Sequence, residues 1–137
     1  MLILDTNVYV DASQDSDRAR WIAHIVGETG DEVGLHSVVV AELLTGGEGQ
    51  GGRAAFVQHL GHIAKDVVTP SHDDWAFAGN AVRILGGDSV TTRRSFWNDL
   101  LIATSCARAG ATLLTSNKSD FARIRRVVPV ETIALQN

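Results

Sequence analysis

Residues 1–10 read MLILDTNVYV, a short apolar run that stops at an acid, which suits a buried strand ending at Asp5. The same signature recurs along the chain. Residues 33–38 read as a second strand, 66–69 as a short third one ended by Pro70, and 111–115 and 127–132 as two more. Between these runs the apolar residues change to helical spacing. Ala19, Ile22, Ile25 and Val26 mark a helix over 15–28, residues 39–45 form one carrying Glu42, and Phe56, Leu60 and Ile63 share a face in 53–65. Trp75, Ala78, Val82 and Leu85 form a further stripe, introduced by Ser71 and Asp74 at capping-box spacing and stopped by Gly86 and Gly87. Residues 95–109 are the clearest helix, with Gly110 as its stop, and a short turn or helix separates the last two strands. The stretch GGEGQGG at 46–52 reads as a loop too short to link domains. Strands alternating with helices imply an α/β fold of three layers, a central parallel β-sheet flanked by α-helices.

The composition bounds the function. With 137 residues, the chain is expected to form one domain over 1–137. Apolar residues at 45% and charged ones at 20% exclude disorder for its bulk. The single cysteine, Cys106, excludes a disulfide scaffold and favours a reducing compartment. No uncharged apolar run reaches the length needed to cross a bilayer, and the first basic residue is Arg18, so the expected location is cytoplasmic, with no membrane partner. The net charge of −4 conceals an asymmetry: residues 1–92 hold 5 basic and 13 acidic side chains, residues 93–137 hold 7 basic and 3 acidic. An acidic protein is poorly suited to wrapping duplex DNA, whereas a local basic surface beside acids suits an enzyme acting on phosphates through metal ions.

In open parallel sheets ligands bind beyond the carboxyl ends of the strands. Asp5, Thr115, Ser116, Asn117 and Asp120 fall at such ends, and Glu42 and Asp99 lie near the starts of helices. Four acids, Asp5, Glu42, Asp99 and Asp120, can therefore gather at one edge. Two carboxylates about 4 Å apart repel by roughly 4 kcal/mol at an effective dielectric of 20, and a divalent cation reverses that sign. Oxygen ligands without Cys or His select Mg²⁺ or Mn²⁺ over Zn²⁺, and the natural reaction is hydrolysis of a phosphodiester. Each acid also has a plain structural use. Asp5 can cap the following turn, Asp99 can complement a helix dipole, Glu42 can lie on a helix surface, and Asp120 can cap a short helix starting at Phe121.

LDTNV at 4–8, AELLTG at 41–46, WNDLLIATSCARAGATLLTSN at 97–117 and DF at 120–121 together resemble the PIN-domain family, and within it the VapC-type toxin ribonucleases. The resemblance runs from the first strand nearly to the last. It implies a PIN-like nuclease domain over 1–137 and a Mg²⁺-dependent endoribonuclease, the toxin of a type II toxin–antitoxin pair. It places the metal-binding acids on Asp5, Glu42 and Asp99. The fourth position falls either on Asp120 or on Asn117, whose amide oxygen can accept from a water on the metal.

Around these acids, Asn7, Thr115, Ser116 and Asn117 can orient carboxylates or waters, or make ordinary turns. Arg93 and Arg94 can hold RNA phosphates or lie in a solvated loop. Arg123, Arg125 and Arg126 read equally as surface charge, the five histidines and Cys106 as structural. The expected partners are an RNA substrate, a cognate antitoxin protein and a second copy in a homodimer. Two rival readings stand beside this one. The first is a PIN-like module that binds RNA or protein without cutting. The second is a small phosphatase of the haloacid dehalogenase type, with Asp5 as nucleophile, Thr115 or Ser116 on phosphate and Lys118 as charge stabiliser.

Overall fold

A computed structural model describes residues 1–45, 61, 62, 64–86 and 93–136. The glycine-rich loop at 46–52, most of the helix expected over 53–65, and the Gly87 half of the stop at 86–87 lie outside the described residues. Five strands form one parallel sheet: β1 (Leu2–Leu4), β2 (Val33–His36), β3 (Val67–Val68), β4 (Thr112–Thr115) and β5 (Glu131–Ala134), in the order β3-β2-β1-β4-β5. Six helices accompany them among the described residues: α1 (Thr6–Gln14), α2 (Ser16–Thr29), α3 (Ser37–Thr45), α4 (His72–Ile84), α5 (Arg94–Ala109) and α6 (Lys118–Ile124). The chain winds outward from the central β1 to β2 and β3, then crosses back to β4 and β5. Right-handed crossovers place the helices of the outward and return paths on opposite faces, which gives the expected three layers. The strand order reverses between β1 and β4, and Leu2, Ile3 and Leu4 pair there with Thr112, Leu113 and Leu114.

β1 is wholly buried, and so is the middle of α5, from Leu100 through Cys106. A helix enclosed all round can satisfy its polar side chains only from within the protein. Ser105 on α5 does so by donating to the Leu101 carbonyl and meeting His36 Nε2 at 2.6 Å. His36 Nδ1 accepts from the Val38 amide at 3.1 Å, so the ring proton sits on Nε2 and points at Ser105. Burial pushes the His36 pKa down to about 4, which keeps the imidazole neutral. Gly34 lies in β2 where a Cβ would stand 3.1 Å from the Asp66 carbonyl oxygen, so a side chain there would crowd the neighbouring backbone. Gly110 closes α5 at φ 67°, a left-handed conformation that favours glycine.

The observed boundaries differ from the expected ones at three places. Residue order predicts no helix between Asp5 and residue 15, yet α1 begins at Thr6, because the Asp5 carboxylate accepts the Thr6 amide at 2.9 Å and caps it. Asp15 then breaks the path and caps α2. The second strand ends at His36 rather than at residue 38: the His36 ring takes the Val38 amide and turns the chain into α3, overriding the strand propensity of three consecutive valines. The last strand begins at Glu131, not 127, since Val127 and Val128 both donate to the Ile124 carbonyl in a turn and Pro129 follows.

α4 carries the capping box as its spacing predicts. Ser71 Oγ accepts from the Asp74 amide at 3.1 Å and Asp74 Oδ2 accepts from the Ser71 amide at 2.8 Å. Burial would raise the Asp74 carboxyl, but the Ser71 amide and the Arg108 guanidinium at 3.0 Å outweigh it and hold the group below the usual carboxylate range. Ser71→Ala is expected to cost about 1 kcal/mol of stability, read as a lower urea midpoint at unchanged slope. The buried stripe of α4 is Asp74, Ala78 and Ala81. Trp75, expected on the core face, is instead exposed.

Candidate active site

The carboxyl ends of β1 and β4 meet where the strand order reverses. Asp5 follows β1 directly and is only 3% exposed. Its carboxylate accepts from the Thr6 amide and, on the other oxygen, from the Thr115 hydroxyl at 2.7 Å, a bond that spans the two strands. Burial raises the Asp5 pKa, the Thr115 and Thr6 donors lower it in part, and the charge of Glu42 raises it further.

Glu42 arrives from α3. Thr6 Oγ1 donates to its Oε1 at 2.7 Å and Asn98 Nδ2 reaches Oε2 at 3.4 Å. Asp99, in the second turn of α5, is 8% exposed. Burial first, then the charges of Asp5, Glu42 and Asp120, push its pKa up to about 8 against a smaller opposing effect of Arg93. Asn117 Nδ2 donates both to Asp99 Oδ2 at 3.3 Å and to Asp120 Oδ2 at 3.1 Å. Arg93 stands 3.7 Å from Asp120.

All four expected acids thus line one cleft of ≈ 310 Å³, together with Thr6, Asn7, Val10, Ser95 and Asn117. Thr115 acts from behind, through Asp5. Ser116 does not line the cleft, because its carbonyl turns the chain into α6 by accepting the Lys118 amide. Two expectations for the fourth position need correction. Asp120 does not cap a helix at Phe121; α6 starts earlier, and Asn117 is its cap, with Oδ1 accepting from the Asp120 amide at 3.4 Å. That commits the Asn117 amide oxygen to backbone, so its nitrogen, not its oxygen, faces the acids. Arg94 lines a neighbouring cavity rather than the acidic cleft.

Residue order gives no sign of Thr6 and Asn98, which hold Glu42. Each sits beside one of the four acids, but its role depends on α1 beginning at Thr6 and on α3 and α5 meeting.

The donor set suits a hard divalent cation: four carboxylates, amide and hydroxyl groups, and no Cys or His in the lining. The Asn7 Oδ1 oxygen is buried without a hydrogen-bond partner, an acceptor left for a ligand or its water. The carboxylates nevertheless spread around the cleft. Among the described residues no group of three or more His, Cys, Asp or Glu side chains is drawn tightly enough to hold an ion. Like charges account for this: Asp5 turns to Thr115, Glu42 to Thr6 and Asp120 to Asn117, each relieving repulsion through a local donor.

A doubly wound parallel sheet with an acidic cleft at its reversal point defines a class of α/β domain whose chemistry sits at the strand ends. The PIN domain model matches residues 2–127, and the chain belongs to the PIN-domain family. No curated protein matches it by sequence. Among solved structures it is similar to VapBC-1 from nontypeable Haemophilus influenzae, at 22% identity and a TM-score of 0.75 over 97% of this chain and 96% of that one. VapBC2 from Rickettsia felis, bound to a DNA fragment from its promoter, matches at 19% and 0.71 over 98% of both chains. FitAcB from Neisseria gonorrhoeae matches at 17% and 0.67 over 97% and 96%. The PIN-domain match gives the phosphatase alternative no support, and Lys118, its charge stabiliser, bonds Gln136 Oε1 at 2.9 Å and does not line the cleft. No helix among the described residues is long and apolar enough to cross a membrane.

Proposed function

We propose that this protein is a Mg²⁺- or Mn²⁺-dependent endoribonuclease, with residues 1–137 as one nuclease domain, and that it is the toxin of a type II toxin–antitoxin pair. The observation that carries the reading is the Asp99 carboxyl, raised by burial and then by three other acids that share a single cleft with it at the reversal point of the sheet. An uncompensated arrangement of that kind costs stability and is useful when a cation enters. Membership of the PIN family and the fold shared with the VapBC structures support it.

Asp5, Glu42 and Asp99 would hold the cation, with Asp120 completing the set. A divalent ion bound there supplies Lewis acidity toward a phosphodiester and a lower pKa for an attacking water. The chain's own residues prepare that chemistry. Thr115 and the Thr6 amide fix the two oxygens of Asp5, the Thr6 hydroxyl and Asn98 aim Glu42, and Asn117 holds Asp99 and Asp120 side by side. Asp99 would give up its proton on becoming a ligand. Arg93 and Arg94, at the start of α5, offer cations to RNA phosphates.

A cognate antitoxin would silence the enzyme by placing an Arg or Lys among the carboxylates, and the free toxin would pair as a two-fold dimer. Incubation with single-stranded RNA, with Mg²⁺ or Mn²⁺ and then with a chelator, tests the activity: cleavage is expected only with the ion. Absent cleavage would overturn the nuclease, and cleavage that persists in the chelator would overturn its metal dependence. Co-expression with the small protein of the adjacent reading frame is expected to yield a complex with cleavage suppressed; no complex, or full cleavage within it, would remove the antitoxin.

A further inference from the structure

A second cavity, of ≈ 830 Å³, opens beside the acidic cleft and shares Thr6, Val10, Glu42 and Ser95 with it. Its far wall is the first turn of α4, where Trp75 leaves 55% of its surface exposed. Arg94 lines the same cavity from the start of α5. Among the described residues Arg94 has no carboxylate partner, whereas the adjacent Arg93 stands by Asp120. The cavity sets the exposed Trp75 ring and the Arg94 guanidinium beside hydroxyl and amide groups of Ser37, Thr69 and Asn98, over an apolar floor of Val38, Ala41 and Leu101.

Leaving an indole in water forgoes its burial energy, which a ligand that covers the ring recovers. An unpaired base supplies one, because every base has a π-face that stacks on an aromatic ring, and single-strand binding sites combine such platforms with cations along the backbone. Arg94 supplies the cation where the rest of the cleft is anionic and would repel phosphate. Resting on the nuclease reading above, we propose that this cavity is a nucleobase subsite: a base of single-stranded RNA stacks on Trp75 while Arg94 holds a neighbouring phosphate. The subsite would give the enzyme a preference for unpaired substrate, since a base within a duplex cannot reach the indole.

Binding and cleavage separate the two ideas. Anisotropy of a labelled single-stranded RNA, titrated with wild type, Trp75→Phe, Trp75→Ala and Arg94→Ala without divalent ions, reads the subsite alone. Trp75→Ala is expected to weaken binding on the order of 10-fold and Trp75→Phe much less, because stacking survives in the smaller ring. Arg94→Ala should flatten the salt dependence of binding. Trp75 is exposed and alanine favours a helix, so the variant keeps its fold. Binding that depends on Trp75 without any cleavage when Mg²⁺ is added would sink the nuclease reading and leave the subsite standing. Equal binding by wild type and Trp75→Ala, or no RNA binding at all, would overturn the subsite. So would a Trp75→Ala protein whose weaker binding follows entirely from conversion of a dimer to a monomer by light scattering, which would make this face a contact between copies.

Discussion

Asp5→Asn is expected to lower RNA cleavage by at least about 100-fold while the protein stays folded, the scale seen when one strong electrostatic group is lost from a site. Both halves of the statement come from the geometry. Asparagine is a good helix cap and has the size of aspartate, so it keeps α1 capped at Thr6 and fits the same buried space. What it removes is the charge of the most enclosed carboxylate in the cleft, the one that joins β1 to β4 through Thr115. Cleavage of a labelled RNA, with circular dichroism as the fold control, gives the measurement. A folded Asp5→Asn protein with full activity would end the metal-nuclease mechanism.

Asp99→Asn is expected to stabilise the metal-free protein at alkaline pH and to blunt its response to metal. The carboxyl has a pKa near 3.8 in the unfolded chain and about 8 in the native one. Between those values the unfolded chain releases a proton that the native state keeps, so the group's contribution is present below about pH 4 and is lost progressively as pH rises to about 8. The Asn variant stays neutral throughout and escapes the loss. The difference in unfolding free energy between variant and wild type should therefore be small near pH 4. It should grow to a few kcal/mol by pH 9, because each tenfold change in a proton-binding constant is worth about 1.4 kcal/mol. Urea melts across that range in a chelating buffer measure it. Added Mg²⁺ or Mn²⁺ should raise the Tm of wild type by linkage and that of Asp99→Asn much less. A pH-independent difference, or an undiminished metal response, would take Asp99 out of the site.

Much of this is legible from residue order alone. An apolar run stopping at Asp5, helical spacing through 95–109 and the strand-helix alternation specify a parallel sheet, because a strand buried on both faces admits few polar residues and a helix needs its period of 3.6. The Ser71–Asp74 cap and the Gly110 stop are local devices, and local chemistry is what sequence displays most directly. The four acids can be named because an acid just past an apolar strand, or near the start of the helix that follows, lies at a ligand-binding edge.

Tertiary contacts decided the rest. Residue order places the helix carrying Glu42 at 39–45 but runs the strand before it to Val38; the His36 ring, held by Ser105 from 69 residues away, takes the Val38 amide and starts α3 at Ser37 instead. Trp75 obeys the periodicity of a core residue and faces solvent, because α4 buries Asp74 against Arg108 instead. Residue order leaves Asn117 as an ordinary turn or as a site residue acting through its oxygen; the packed structure makes it the α6 cap and sets Asp99 and Asp120 on its nitrogen. A side chain's partner across the sheet depends on where the whole chain returns. Residue order therefore determined the fold class and the acids, and the packed structure determined which donors face them.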